Sequence, residues 1–145
     1  MCLIVLLRFG NGVWLNHCIA VVDDDRAVAE FLQELLADEG YEPVLWDRGA
    51  GAYELVKRVR PAAVLLDMNM ETRDAGLRVA QALCNDPDTA DIPVIIVSAE
   101  AEFLHKRYAE LHALPCRIYP KPVNIPALLS LLHQLTASEA TVMRG

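Results

Sequence analysis

Cys18-Ile19-Ala20-Val21-Val22-Asp23-Asp24-Asp25 passes from an unbroken apolar run to three consecutive carboxylates. A short run that is apolar at every position reads as a strand buried on both faces, with charge returning where the strand leaves the sheet. Working outward, similar runs recur at residues 43–46, 62–66, 93–97 and 117–119, separated by longer stretches of helical period. That alternation predicts an α/β domain, a five-stranded parallel sheet covered by helices; the arrangement expected for it is the doubly wound order 2-1-3-4-5 with helices on both faces.

The helices between the runs carry their own signals. Val28, Phe31, Leu32, Leu35 and Leu36 recur at helical spacing and predict one buried face, which Gly40 ends. In the last helix Asn124 is the expected N-cap, Pro126 fits the first turn, and Ile125, Leu128, Leu129, Leu132 and Leu135 form the apolar stripe. Leu131 falls off that stripe and reads either as a contact position or as an ordinary exposed leucine. Further helices are expected over residues 52–59, 77–83 and 103–114. The domain then spans 18–136, followed by a short polar tail at 137–145. Residues 1–17 lie outside the five-unit pattern, and three readings stay open for them: an extra strand, a dimer contact, or sequence upstream of the natural start.

A chain of 145 residues buries roughly 68–70% of its unfolded surface, enough for its own core. Its 20 acidic against 13 basic side chains give a net charge of −7, which argues against a direct nucleic-acid footprint built from clustered lysine and arginine. Cys2, Cys18, Cys84 and Cys116 form no Cys-x-x-Cys pair, and the four histidines fall in no ligand motif. Reduced thiols and no zinc site are therefore expected. The opening apolar run, residues 2–7, is far short of the about 20 residues a bilayer requires. It also lacks the preceding positive charge of a secretory signal, so a cytoplasmic protein without a membrane span is expected.

Ligands of open parallel sheets bind beyond the carboxyl ends of the strands, where strand order reverses. The polar residues at those ends are Asp23-Asp24-Asp25, Asp67, Ser98 and Lys121. In the order 2-1-3-4-5 the first and third strands are neighbours, which sets Asp67 beside the aspartates. Carboxylates so close repel, and holding them ionised calls for a cation; an all-oxygen donor set indicates Mg²⁺, with Mn²⁺ as the alternative. Asp67 is then a nucleophile for phosphoryl transfer, with the Ser98 hydroxyl and the Lys121 ammonium in reach of phosphoryl oxygens. Each residue also has an ordinary reading: a helix cap for one of the aspartates, a turn hydroxyl for Ser98, a solvated cation for Lys121. Their joint placement at four strand ends favours the chemical one.

Four fragments in order, Ile19-Ala20-Val21-Val22-Asp23-Asp24-Asp25, Ala63-Val64-Leu65-Leu66-Asp67-Met68-Asn69-Met70, Ile92-Pro93-Val94-Ile95-Ile96-Val97-Ser98-Ala99 and Lys121-Pro122, make residues 18–136 resemble the receiver domain of two-component response regulators, in its single-domain, chemotaxis-regulator-like form. The resemblance implies a flavodoxin-like receiver fold with Asp67 as phosphoacceptor. It also implies that Asp23, Asp24, Asp67 and the Asn69 backbone carbonyl hold Mg²⁺. Ser98 would move toward the phosphoryl group and Lys121 would pair with it, repacking the face of the fourth helix, fifth strand and last helix. The implied donor is a histidine kinase or phosphotransfer protein, for which a small acyl phosphate can substitute. Ala99 is small where the donor must approach, Glu100 lies at the mouth of the site, and the Lys121–Pro122 peptide is expected to be cis. Pro120 suits an edge strand.

The sequence departs from the family pattern in three places. Glu71 replaces the usual proline four residues after the phosphoacceptor and is expected to lower phosphorylation or retune metal affinity by its charge. Asp74-Ala75-Gly76 replaces Asp-Gly, lengthening the loop by one residue. Ile118 stands at the aromatic switch position, with Tyr119 one place later and on the opposite strand face.

With only the short tail after the domain, output is expected through protein contact, at Leu131 and the face of the fourth helix, fifth strand and last helix, with a homodimer as one form. The alternative is a receiver-like interaction module that works without phosphorylation. A haloacid-dehalogenase-type phosphatase is disfavoured because Ala27 stands where Thr or Val is needed after Asp23-x-Asp25. A flavin binder is disfavoured because the first loop is acidic rather than a phosphate cradle.

Overall fold

The computed structural model describes residues 6–8, 14–99, 116–121 and 123–142. In chain order the elements are β1 (Leu6–Arg8), β2 (Trp14–Asn16), β3 (Cys18–Val22), α1 (Arg26–Asp38), β4 (Glu42–Trp46), α2 (Ala52–Val59), β5 (Ala63–Asp67), α3 (Ala75–Asn85), β6 (Val94–Ser98), β7 (Cys116–Pro120) and α4 (Ile125–Val142). β4-β3-β5-β6-β7 form one sheet, parallel throughout, in the expected order 2-1-3-4-5. β1 and β2 form a separate antiparallel pair, with Leu7 opposite Leu15, and α4 lies alongside β2.

β3, β5 and β6 are buried at every position, which explains why their runs show no polar alternation. Successive side chains point to opposite faces and so supply two cores. Ala20, Val22, Val64, Leu66 and Ile96 pack beneath α2 and α3 with Val56, Leu77 and Leu83. Ile19, Val21, Leu65, Ile95 and Val97 pack against Leu36 of α1 and Leu128 and Leu132 of α4. Each large aliphatic side chain buried this way contributes about 1.5–3 kcal/mol of transfer free energy.

Two side-chain expectations are overturned. Leu131 is buried, at 6% exposure, in the core beside Leu128 and Leu132; it is neither an exposed leucine nor a contact position. Leu128, Leu131, Leu132 and Leu135 make an i, i+3, i+4, i+7 stripe as regular as the expected one, rotated so that Leu129 is only half-buried. Phe31 remains 54% exposed, because α1 turns Ala29 and Leu36 inward and leaves the ring at the margin of the face. Boundaries shift as well: α3 begins at Ala75 and α4 continues to Val142, into the stretch read as a tail. The expected helix over 103–114, Glu100 and the Lys121–Pro122 peptide lie outside the described residues. None of the described helices is long and apolar enough to cross a membrane.

Candidate functional site

β3 and β5 pair with Val22 opposite Leu66, so Asp23, just beyond β3, and Asp67, the last residue of β5, stand side by side at the carboxyl ends of the strands. Carboxylate oxygens of Asp23, Asp24 and Asp67 consequently lie within 4.8 Å of one another. Asp23 and Asp67 are buried and Asp24 is exposed. Asp25 turns away: its Oδ1 accepts the N–H groups of Ala27 at 3.0 Å and Val28 at 3.2 Å, capping α1. Its own N–H donates to Asp23 Oδ1 at 2.9 Å, which helps aim that carboxylate. The acidic triplet is thus divided between a site and a helix cap.

Ser98 ends β6 and is buried. β7, the sheet's edge, pairs with β6, and the Lys121 N–H donates to the Ser98 carbonyl at 2.7 Å. Because alternate residues of a strand face its partner, the Pro120 nitrogen faces the open edge, where the missing donor costs nothing. This path carries Lys121 Nζ back to 3.3 Å from Asp67 Oδ1 and 3.6 Å from Asp23 Oδ2. Ile118 and Tyr119 pack on opposite faces of the sheet, as the alternation requires.

Burial, then repulsion from Asp23, pushes the Asp67 carboxyl up to about 6, against the pull of Lys121. Burial works to lower the Lys121 ammonium, but Asp23 and Asp67 outweigh it and raise the group above its ordinary value. Three clustered carboxylates carry more negative charge than one lysine balances, and their donors are all hard oxygens. The buried Asn69 Oδ1, two residues after Asp67, has no hydrogen-bond partner, the condition that a cation or a water relieves. The cluster therefore fits a divalent ion of the magnesium type. An open groove of about 520 Å³ runs from Asp23 and Asp24 between Glu30, Gln33 and Trp46, and Ala99 beside the site is exposed.

Glu71, expected to add negative charge to the site, is engaged elsewhere. Its carboxylate accepts the N–H groups of Gly49 at 2.6 Å and Ala50 at 2.8 Å, and these bonds hold it below the usual carboxylate range. Sequence reading missed this clamp, although Gly49-Ala50-Gly51 before a helix is a recognisable source of free amides. Gly76 packs against the end of β5: its N–H donates to the Met68 carbonyl at 2.8 Å, and a Cβ there would lie 2.3 Å from the Asp67 carbonyl oxygen.

Comparisons with known proteins point the same way. The family model of the response regulator receiver domain matches residues 19–133. Response regulator MprA of Mycobacterium leprae is 38% identical over 117 residues, 81% of this chain and 50% of that protein. MprA of Mycobacterium bovis strain BCG is 35% identical over 133 residues, 87% of this chain and 56% of the relative. The chain thus spans about half the length of the curated relatives it matches. A sensor protein from Polaromonas superposes with a TM-score of 0.71 at 28% identity, covering 83% of this chain and 96% of its own. The receiver domain of a Pseudomonas aeruginosa sensor histidine kinase, solved with magnesium coordinated in its active-site cleft, superposes with a TM-score of 0.72 at 20% identity, covering 83% and 98%; at that identity it speaks to the fold. With the parallel sheet, the acidic strand ends and a family match over most of its length, the chain belongs to the response regulator receiver domains of two-component signalling.

Proposed function

We propose that Asp67 accepts a phosphoryl group from a histidine kinase or phosphotransfer protein, assisted by Mg²⁺ held by Asp23, Asp24, Asp67 and the backbone carbonyl of Asn69, with Mn²⁺ able to substitute. The observation that carries this reading is the meeting of three carboxylates within 4.8 Å with the Lys121 ammonium at 3.3 Å from Asp67. An Asp67 carboxylate oxygen attacks phosphorus, the bond from phosphorus to the donor breaks, and the donor leaves with its electron pair. When bound, the cation neutralises charge on the phosphoryl oxygens. Lys121 supplies a second positive charge to the same oxygens, and the buried Ser98 hydroxyl supplies a hydrogen-bond donor. Exposed Ala99 and the groove along α1 leave the donor a way in.

Output follows through protein contact on the face of β7 and α4, as a monomer or homodimer, in the cytoplasm. Glu71 is committed to backbone amides, which weakens the case for a module that works without phosphorylation. The test is intact mass after incubation with Mg²⁺ and acetyl phosphate or phosphoramidate. A single phosphoryl adduct on the wild type, absent from Asp67→Asn and without metal, is expected. Absence of any adduct, together with no detectable beryllofluoride complex, would overturn the reading in favour of the phosphorylation-independent module.

A further inference from the structure

Glu71 stands four residues beyond Asp67, in the loop from β5 to α3, and both its carboxylate oxygens are used on the neighbouring loop: Oε1 by Gly49 N–H and Oε2 by Ala50 N–H. Charge-assisted bonds of this two-pronged kind fix orientation as well as distance. The receiving loop is shaped for the carboxylate. Gly51 adopts φ +82°, and a Cβ at Gly49 would sit 3.4 Å from Glu71 Oε1 and 3.3 Å from Ala75 Cβ.

The contact continues back to the acidic site. The Ala50 carbonyl accepts the Trp46 indole N–H at 2.8 Å, and the Trp46 carbonyl accepts the backbone N–H of Asp23 at 3.0 Å. At its two ends the loop after β5 is fastened by Met68 N–H to the Val97 carbonyl and by Gly76 N–H to the Met68 carbonyl. Between these fastenings lies the segment bearing Asn69, and Glu71 ties that segment across to the loop reaching Asp23.

We infer that Glu71 is a positioning residue for metal binding: by clamping Gly49 and Ala50 it holds the Asn69 segment in register with Asp23 and Asp24. The inference rests on the metal-site reading above and replaces the idea that Glu71 acts by its charge. Groups that orient metal ligands without touching the metal typically govern affinity by 10- to 100-fold, and a clamp acting on one backbone ligand belongs near the lower limit.

Mg²⁺ affinity is measured by calorimetry, and the Gly49 and Ala50 amide resonances by NMR, in the wild type, Glu71→Ala and Glu71→Asp. Aspartate keeps the charge but is one methylene too short for the clamp. Both variants are expected to shift the two amides upfield and to weaken Mg²⁺ about tenfold, with urea midpoints showing a folded chain. Unchanged Mg²⁺ affinity in Glu71→Ala with the amides released overturns the positioning role. Full affinity in Glu71→Asp with its amides released overturns it in favour of charge. A wild type that binds no Mg²⁺ overturns the site reading itself, and the positioning role with it.

Discussion

The Lys121 ammonium lies 3.3 Å from Asp67 Oδ1, across 54 residues of sequence and one intervening strand. Its second neighbour, Asp23 at 3.6 Å, makes it a bridge between the two buried carboxylates. Since Asp67 is raised in spite of this cation, burial and mutual repulsion dominate the site when only protein charges are present, and ionising Asp67 there opposes folding.

That opposition has a definite pH window. The Asp67 carboxyl moves from 3.8 to about 6 on folding, so the folded chain binds this proton more tightly than the unfolded chain. The resulting stability is present below pH about 4 and is lost as pH rises through about 6. Metal-free Asp67→Asn is therefore expected to exceed the wild type by about 1–2 kcal/mol at pH 7.5, and to lose that advantage below pH about 4. Urea unfolding with a chelator present checks it; an equal or lower midpoint for Asp67→Asn at pH 7.5 would refute it. Adding Mg²⁺ is expected to raise the wild-type midpoint and leave the variant unmoved.

Asp25 and Asp24 should separate cleanly. Asp25→Ala removes the side-chain cap of α1 and is expected to cost about 1 kcal/mol of stability while leaving Mg²⁺ affinity within twofold. Asp24→Ala, which removes an exposed carboxylate of the cluster, is expected to do the reverse. Paired urea and calorimetric titrations decide; a large loss of Mg²⁺ affinity in Asp25→Ala would remove the division of labour.

Gly76→Ala tests the loop from beneath. Its added Cβ would meet the Asp67 carbonyl oxygen at 2.3 Å and the Met68 Cα at 2.7 Å. Both are backbone atoms, which cannot swing aside as a flexible side chain would. A loss of about 2–3 kcal/mol in urea unfolding is expected, and a change below about 0.5 kcal/mol would show that the loop relaxes freely.

Much of the site is legible in the sequence alone. Strands buried on both faces must be apolar until they end, so Asp23, Asp67 and Ser98 each mark a strand end, Lys121 follows the half-exposed edge strand β7, and parallel strands end at one edge of the sheet. The order 2-1-3-4-5 then makes the first and third ends neighbours. Local chemistry was equally readable at Asn124, whose Oδ1 accepts the Ala127 N–H at 3.0 Å, because a cap depends on residues three apart.

The tertiary structure alone decided matters of rotation and of distance along the chain. Leu128, Leu129, Leu131 and Leu132 satisfy two overlapping helical stripes, and only the place of the sheet beneath α4 selected Leu131 for burial and released Leu129. Phe31 went to the surface for the same reason. Glu71 met Gly49 and Ala50 because two loops 22 residues apart are brought together at one edge of the sheet. Hydrophobic period and strand ends are written locally in the chain, whereas the angle at which a helix settles and the loop that a carboxylate finds depend on the packing of all the elements at once.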